Sequence, residues 1–250
     1  GGGFGGKLGA LLEPVAAVLS RKTGHPVKLT MTRAEVLEAT GPTSGSLVRV
    51  KFGVTKEGRI TAAQVYFAFE AGAYPGASIQ AAAAAVLAPY QVDNILLDAY
   101  DVVDNKPMAS AYRAPGAPIV VYAVESVVDE ICETLGKDLI DFRLLNVAVE
   151  GTRRADGVVN GRIGAKETME AVKSQPHYSA PLEGKHRGRG VGMGFCRNNT
   201  GPSSVVANVL SNGTVSLVEG SVDIGGSRTA VAQQFAEVLG IAIEDVHPMV

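Results

Sequence analysis

A chain of 250 residues with 46% hydrophobic content and a formal net charge of -2 can bury a sizeable core, as one large or two modest domains. That charge argues against a nucleic-acid binder, which shows a basic balance, and the short basic run at 185–189 reads as a solvated loop. No apolar run approaches the ~18 residues of a membrane span, and the longest, at 81–89, is alanine-rich.

The elements read in chain order as follows. Residues 8–23 carry apolar side chains at helical spacing (Leu12, Val15, Ala16, Leu19), and Gly24 would cap the helix. Residues 26–32 read as a strand. Residues 47–54 and 59–70 alternate apolar and polar residues around Lys56-Glu57-Gly58, an antiparallel hairpin. The alanine run after the 71–76 loop is expected to be helical, and 94–103 a strand. A Gly/Pro-containing loop at 110–118 leads into an amphipathic helix over 119–135, ended by Gly136. Asp138 would cap a second helix over 139–147, and 165–173 makes a third. The polar stretch 174–189 resembles a linker. Beyond it lie strands at 190–197, 203–210 and 214–219, the last two joined by Ser211-Asn212-Gly213. A loop at 221–229, a helix to Leu239 and a strand at 244–250 follow. These elements predict an α+β fold of mixed or antiparallel sheets with packed helices. Its division is expected at 1–180 and 181–250, with both chain ends interrupting elements.

Thirty glycines without a collagen period imply tight turns and close backbone approaches, suited to gripping a large polar ligand through the main chain. The opening Gly1-Gly2-Gly3-Phe4-Gly5-Gly6-Lys7 satisfies the dinucleotide fingerprint formally. Arg21 and Lys22 stand where the acidic ribose ligand belongs, and antiparallel hairpins follow instead of a βαβ unit. The same loop fails as a phosphate-binding P-loop, because Leu8 replaces the magnesium-binding Ser or Thr. A plain glycine turn before a helix remains open. The two cysteines, Cys132 and Cys196, cannot supply the four ligands of an iron–sulfur cluster or structural zinc site. They read as thiols in a reducing compartment, the cytoplasm.

The glycine loop has company. Ala111-Tyr112-Arg113-Ala114-Pro115-Gly116-Ala117-Pro118 is followed by Val124-Glu125-Ser126 and Asp129-Glu130. Leu135-Gly136-Lys137-Asp138 continues to Phe142-Arg143-Leu144-Leu145-Asn146, and Asp223-Ile224-Gly225-Gly226-Ser227-Arg228-Thr229 precedes a helix. Together these strings, in this order, resemble the molybdenum hydroxylases of the xanthine dehydrogenase/aldehyde oxidase type, specifically their large, molybdopterin-binding subunit.

The resemblance implies hydroxylation of an aldehyde or an N-heteroaromatic carbon with oxygen from water. Molybdenum held by a pterin dithiolene would activate that water, and a glutamate would serve as base. Residue by residue, Gly3, Phe4 and Gly5 would meet the molybdenum ligands and pterin through their amides, and Arg113 with Ala114 would cover the metal. Gly225, Gly226 and Ser227 would contact the pterin or its phosphate. Phe4, Leu8 and Tyr112 would line the substrate channel. Phe4 reads equally as a hydrophobic staple onto the following helix, and Arg113 as a structural arginine paired with a carboxylate. No side chain would ligate the metal. Leu8 stands where purine-oxidising members carry Glu, and 78–88 lacks their arginine, so xanthine is disfavoured. The arginine loop also lacks the copper-binding Cys of carbon monoxide dehydrogenases.

The catalytic glutamate is expected beyond Val250. Glu219 and Glu237 read instead as strand-end and helix-surface residues. The implied cofactor is molybdopterin, in the plain or the cytosine dinucleotide form. The implied partners are an iron–sulfur subunit and an FAD flavoprotein, assembled as a dimer of heteromers. A cofactor-free structural or interaction domain of the same fold is the rival reading.

Overall fold

The computed structural model describes residues 5–6, 9–196, 201–220 and 225–249. They form two compact units. The smaller comprises Gly1–Thr40, Ser110–Arg113 and Asn198–Val250, and the larger comprises Gly41–Ala109 and Ala114–Arg197.

Helix α1 spans Glu13–Thr23, starting at Pro14's turn rather than at residue 8, because proline fits only the first turn. Gly24, at φ 71°, caps it by donating to the Ser20 carbonyl at 2.9 Å. The expected strand at 26–32 does not form. Among the described residues nothing pairs with it, and Thr32 instead caps a helix α2, Arg33–Ala39. The Thr32 amide donates to Glu35 Oε2 at 2.7 Å and the Glu35 amide to Thr32 Oγ1 at 3.3 Å, a reciprocal capping box.

In the larger unit, strands β1 (Ser46–Val54) and β2 (Ile60–Gly72) form the expected antiparallel hairpin, with Gly58 at φ 94° in its turn. Helix α3 (Ile79–Ala85) crosses over, and β3 (Asn94–Val103) pairs with β2 in parallel, giving the order β1-β2-β3. Val65, Phe67 and Phe69 point from alternate β2 positions into the core and are wholly buried. Against them packs helix α4 (Ala117–Leu135), whose Val120, Val124, Val128 and Cys132 fall on one face at four-residue spacing. Asp138 caps α5 (Leu139–Asn146) through the amides of Ile140 and Asp141, both at 2.9 Å. Helices α6 (Ala165–Lys173) and α7 (Pro176–Ser179) complete the unit. The linker-like stretch is tied down: Arg189 donates to the carbonyls of Tyr178 and Ala180 at 2.6 and 2.7 Å.

A buried ionic knot joins these pieces. Arg143, 0% exposed, donates from Nε to Glu125 Oε2 at 2.9 Å and from Nη2 to Asp129 Oδ1 at 2.7 Å. Its Nη1 donates to the Leu139 carbonyl at 3.0 Å. Glu125 also accepts the Tyr90 hydroxyl and, at 2.8 Å, the Met193 amide. One turn on, Asn146 accepts from the Ile60 amide and donates to the carbonyls of Gly58 and Phe142, all at 2.9 Å. The expected strand at 190–197 is not formed over 190–196. Those residues have no ladder partner, and the Met193 amide goes to Glu125 instead.

The smaller unit repeats the ββαβ order of the larger. β4 (Val205–Val209) and β5 (Val215–Glu219) pair antiparallel. Helix α8 (Ser227–Leu239), a 3-10 turn (Ile243–Asp245) and β6 (Val246–Met249) follow, with β6 parallel to β5. Leu217, Ala232, Ala236 and Val246 form its core.

Arg143→Met removes one side of a buried pair and leaves Glu125 uncompensated. We expect it to cost about 3–5 kcal/mol in urea unfolding, with Arg143→Lys recovering only part, since a single ammonium cannot fork. Burial, reinforced by the Glu125 charge, holds the Tyr90 hydroxyl well above its ordinary value. Its stabilising contribution is full below about pH 10 and is lost as pH rises beyond, because the unfolded chain ionises first. Stability should therefore fall more steeply in alkali for the parent than for Tyr90→Phe. Parallel curves would contradict this.

Candidate functional site

Each glycine loop that the sequence singles out is held in a conformation a side chain resists. Gly5 has φ 97°, and a Cβ there would lie 2.9 Å from the Ala111 Cβ and 3.2 Å from its carbonyl carbon. Gly5 thus lies directly on Ala111 at the beginning of the arginine loop, both within the smaller unit. Gly3, Phe4 and Leu8 lie outside the described residues.

In the arginine loop Ala114 adopts φ 56°, left-handed backbone that costs a non-glycine residue about 1–2 kcal/mol. The Ala114 carbonyl accepts the Ala117 amide at 3.2 Å, closing the turn that starts α4. Gly116, at φ 78°, is buried so tightly that a Cβ would stand 2.6 Å from the Ser78 carbonyl oxygen. Tyr112 is 60% exposed. Arg113 is exposed and makes no ion pair or hydrogen bond among the described residues, so the carboxylate partner considered for it is not found there.

The third loop meets α8. Gly225 and Gly226 have φ 114° and 102°, and Gly226 is the N-cap, with Ser227 the first helical residue. The loop is shorter than the sequence suggests, because the helix begins at Ser227 rather than after Thr229. A Cβ on Gly226 would meet nothing within 4 Å among the described residues, so it is the backbone conformation that demands glycine there. A helix start of this kind carries the positive end of the dipole, which favours a phosphate. Glu219 ends β5, and Glu237 is exposed on α8.

The chain matches the molybdopterin cofactor-binding domain family twice, over residues 1–147 and again over 164–250. It belongs to that family. A nicotinate dehydrogenase large molybdopterin subunit from Eubacterium barkeri is 35% identical over 70% of this chain and 42% of its own length. A putative xanthine dehydrogenase molybdenum-binding subunit from Escherichia coli is 33% identical over 98% of this chain and 35% of its own. The chain thus spans well under half of the curated relatives it matches. The aldehyde oxidoreductase of Desulfovibrio desulfuricans superposes with a TM-score of 0.80 over 100% of this chain and 29% of that one, at 24% identity. The chain therefore carries two molybdopterin cofactor-binding domain matches on an α+β fold shared with that structure.

Among the described residues no three His, Cys, Asp or Glu side chains converge to hold a metal, and the charged side chain exposed at the arginine loop is Arg113. The remaining motif residues, Glu125, Asp129, Arg143 and Asn146, lie in the buried knot and act as scaffold. Periodicity could not find this role, because their partners are many residues away.

Gly116→Ala should destabilise the protein by about 1–3 kcal/mol, since left-handed strain adds to a clash with backbone. Gly5→Ala should cost less stability but lower the molybdenum content, because it displaces one loop from another. Unfolding curves and metal analysis separate the two effects.

Proposed function

We propose that this chain is the cofactor-cradling part of an oxidoreductase that hydroxylates an aldehyde or an N-heteroaromatic compound with oxygen from water. The observation that carries the reading is the set of glycine loops, with positive φ at Gly5, Gly116, Gly225 and Gly226, in a chain of the molybdopterin cofactor-binding family. When bound, the molybdenum cofactor supplies the activated water-derived oxygen and takes up the two electrons.

The chain's own residues place and hold. The amides around Gly3, Phe4 and Gly5 donate to the metal-side ligands, and Arg113 contributes a cation from its exposed loop. The Gly225-Gly226-Ser227 helix start holds the pterin or its phosphate. Phe4, Leu8 and Tyr112 narrow the approach of the substrate. Leu8 in particular offers no charged group to a purine edge, and a polar ligand edge buried without a partner is costly. The base glutamate is assigned to a segment other than these loops. With two cysteines in the chain, electrons are assigned to an iron–sulfur partner and then a flavoprotein, in the cytoplasm.

The test uses the protein purified from its own source with whatever subunits accompany it. Molybdenum and a pterin should co-purify in equal amounts. With benzaldehyde, quinoline and xanthine offered in oxygen-18 water, the label should appear in the oxidised product of one of the first two. Cofactor-free protein, label drawn from dioxygen, or turnover of xanthine alone would each overturn the corresponding part. Arg113→Ala should lower bound molybdenum while leaving the unfolding midpoint unchanged, because Arg113 holds no structural partner among the described residues.

A further inference from the structure

A cavity of about 350 Å³ lies in the larger unit between α6 and the extended 191–195 segment. Its walls are apolar: Met169 and Val172 from the helix, Val191, Met193 and Phe195 from the segment. The segment is fixed from behind, where the Met193 amide donates to Glu125 at 2.8 Å. Phe195 is fixed from outside by Arg154, whose guanidinium lies 5.0 Å from the ring centroid and pairs with Asp156 at 3.0 Å. The two flanking methionines are 6% and 8% exposed and can reshape around different occupants.

One polar group in this lining is uncommitted. Asn160 is 8% exposed, and its backbone is fully used: its amide donates to Thr152 and its carbonyl accepts from Gly151, both at 2.9 Å. Its carboxamide makes no hydrogen bond among the described residues. The neighbouring Thr168 hydroxyl already donates to the Gly164 carbonyl at 2.7 Å. Its polar atoms are not among the side-chain atoms sealed from solvent without a partner, so they are accessible from the cavity. A carboxamide presents one donor and one acceptor side by side, the complement of another amide edge.

We infer that this cavity is a small-molecule site, separate from the glycine loops in its residues, for an aromatic or similarly apolar compound carrying a single amide edge. Methionine and valine would hold the ring, and Asn160 would exchange two hydrogen bonds with the amide. The proposal is independent of the cofactor reading, and its test needs neither molybdenum nor turnover.

The experiment is ligand-observed NMR on the purified protein with two probes of similar size, benzamide and ethylbenzene. Benzamide should bind, and Asn160→Leu should weaken it about tenfold while leaving ethylbenzene unchanged or tighter. Asn160→Asp, which keeps the shape but removes the donor, should also weaken benzamide. Val172→Trp should abolish both by filling the space. Unfolding midpoints close to the parent's are expected for the Asn160 variants, since that side chain holds nothing else. Failure of benzamide to bind, equal benzamide affinity in the parent and both Asn160 variants, or undiminished binding in Val172→Trp would each overturn the inference.

Discussion

The larger unit depends on one interaction, the buried pairing of Glu125 with Arg143. Glu125 sits on the middle of α4, and Arg143 on α5, eighteen residues later. Glu125 also receives the Tyr90 hydroxyl and the Met193 amide, so one carboxylate fixes two helices, the segment after α3 and the extended stretch beyond α7. An ion pair this deep gains little net stability over a well-packed apolar cluster. Its consequence is registration: with all donors and acceptors matched, no neighbouring arrangement of these pieces leaves the charges satisfied. Asn146 extends the same logic to the turn of the β1–β2 hairpin through Gly58 and Ile60.

That rigidity bears on the arginine loop, whose Ala114 and Gly116 are the direct N-terminal lead-in to α4. Ala114 holds left-handed backbone and Gly116 lies against the Ser78 carbonyl, conformations that persist only where the surroundings over-determine them. α4 is pinned at Glu125 and packed along Val120, Val124 and Val128, and so provides that determination. The loops of the smaller unit follow a different economy. Gly5 lies against Ala111 and Gly226 begins α8, both on backbone of positive φ.

The two units share a plan. Each is a hairpin, then a crossover helix, then a third strand parallel to the second. They differ in how much they bury. The larger sheet has α4 across its face, whereas in the smaller unit α8 covers Leu217 and Val246 and leaves every residue of β4 exposed. The exposed β4 valines therefore contribute little to the unit's own stability.

What the sequence by itself determined was local. The β1–β2 hairpin, β3, α4 with its glycine cap, α5 with Asp138 and α6 all follow from periodicity, capping residues and turn glycines, which act within a few positions. The glycine and arginine loops were legible as strings, and the family with them. Tertiary structure decided the rest. Residues 26–32 and 190–196 have strand-like composition, yet a strand exists only when a neighbour completes its ladder, and among the described residues none does. It also decided the knot of Glu125, Asp129, Arg143 and Tyr90, and the burial of Asn160 with its carboxamide unused. No window of the chain reveals these, because each depends on which distant groups arrive at the same place with matching charge and hydrogen-bonding capacity.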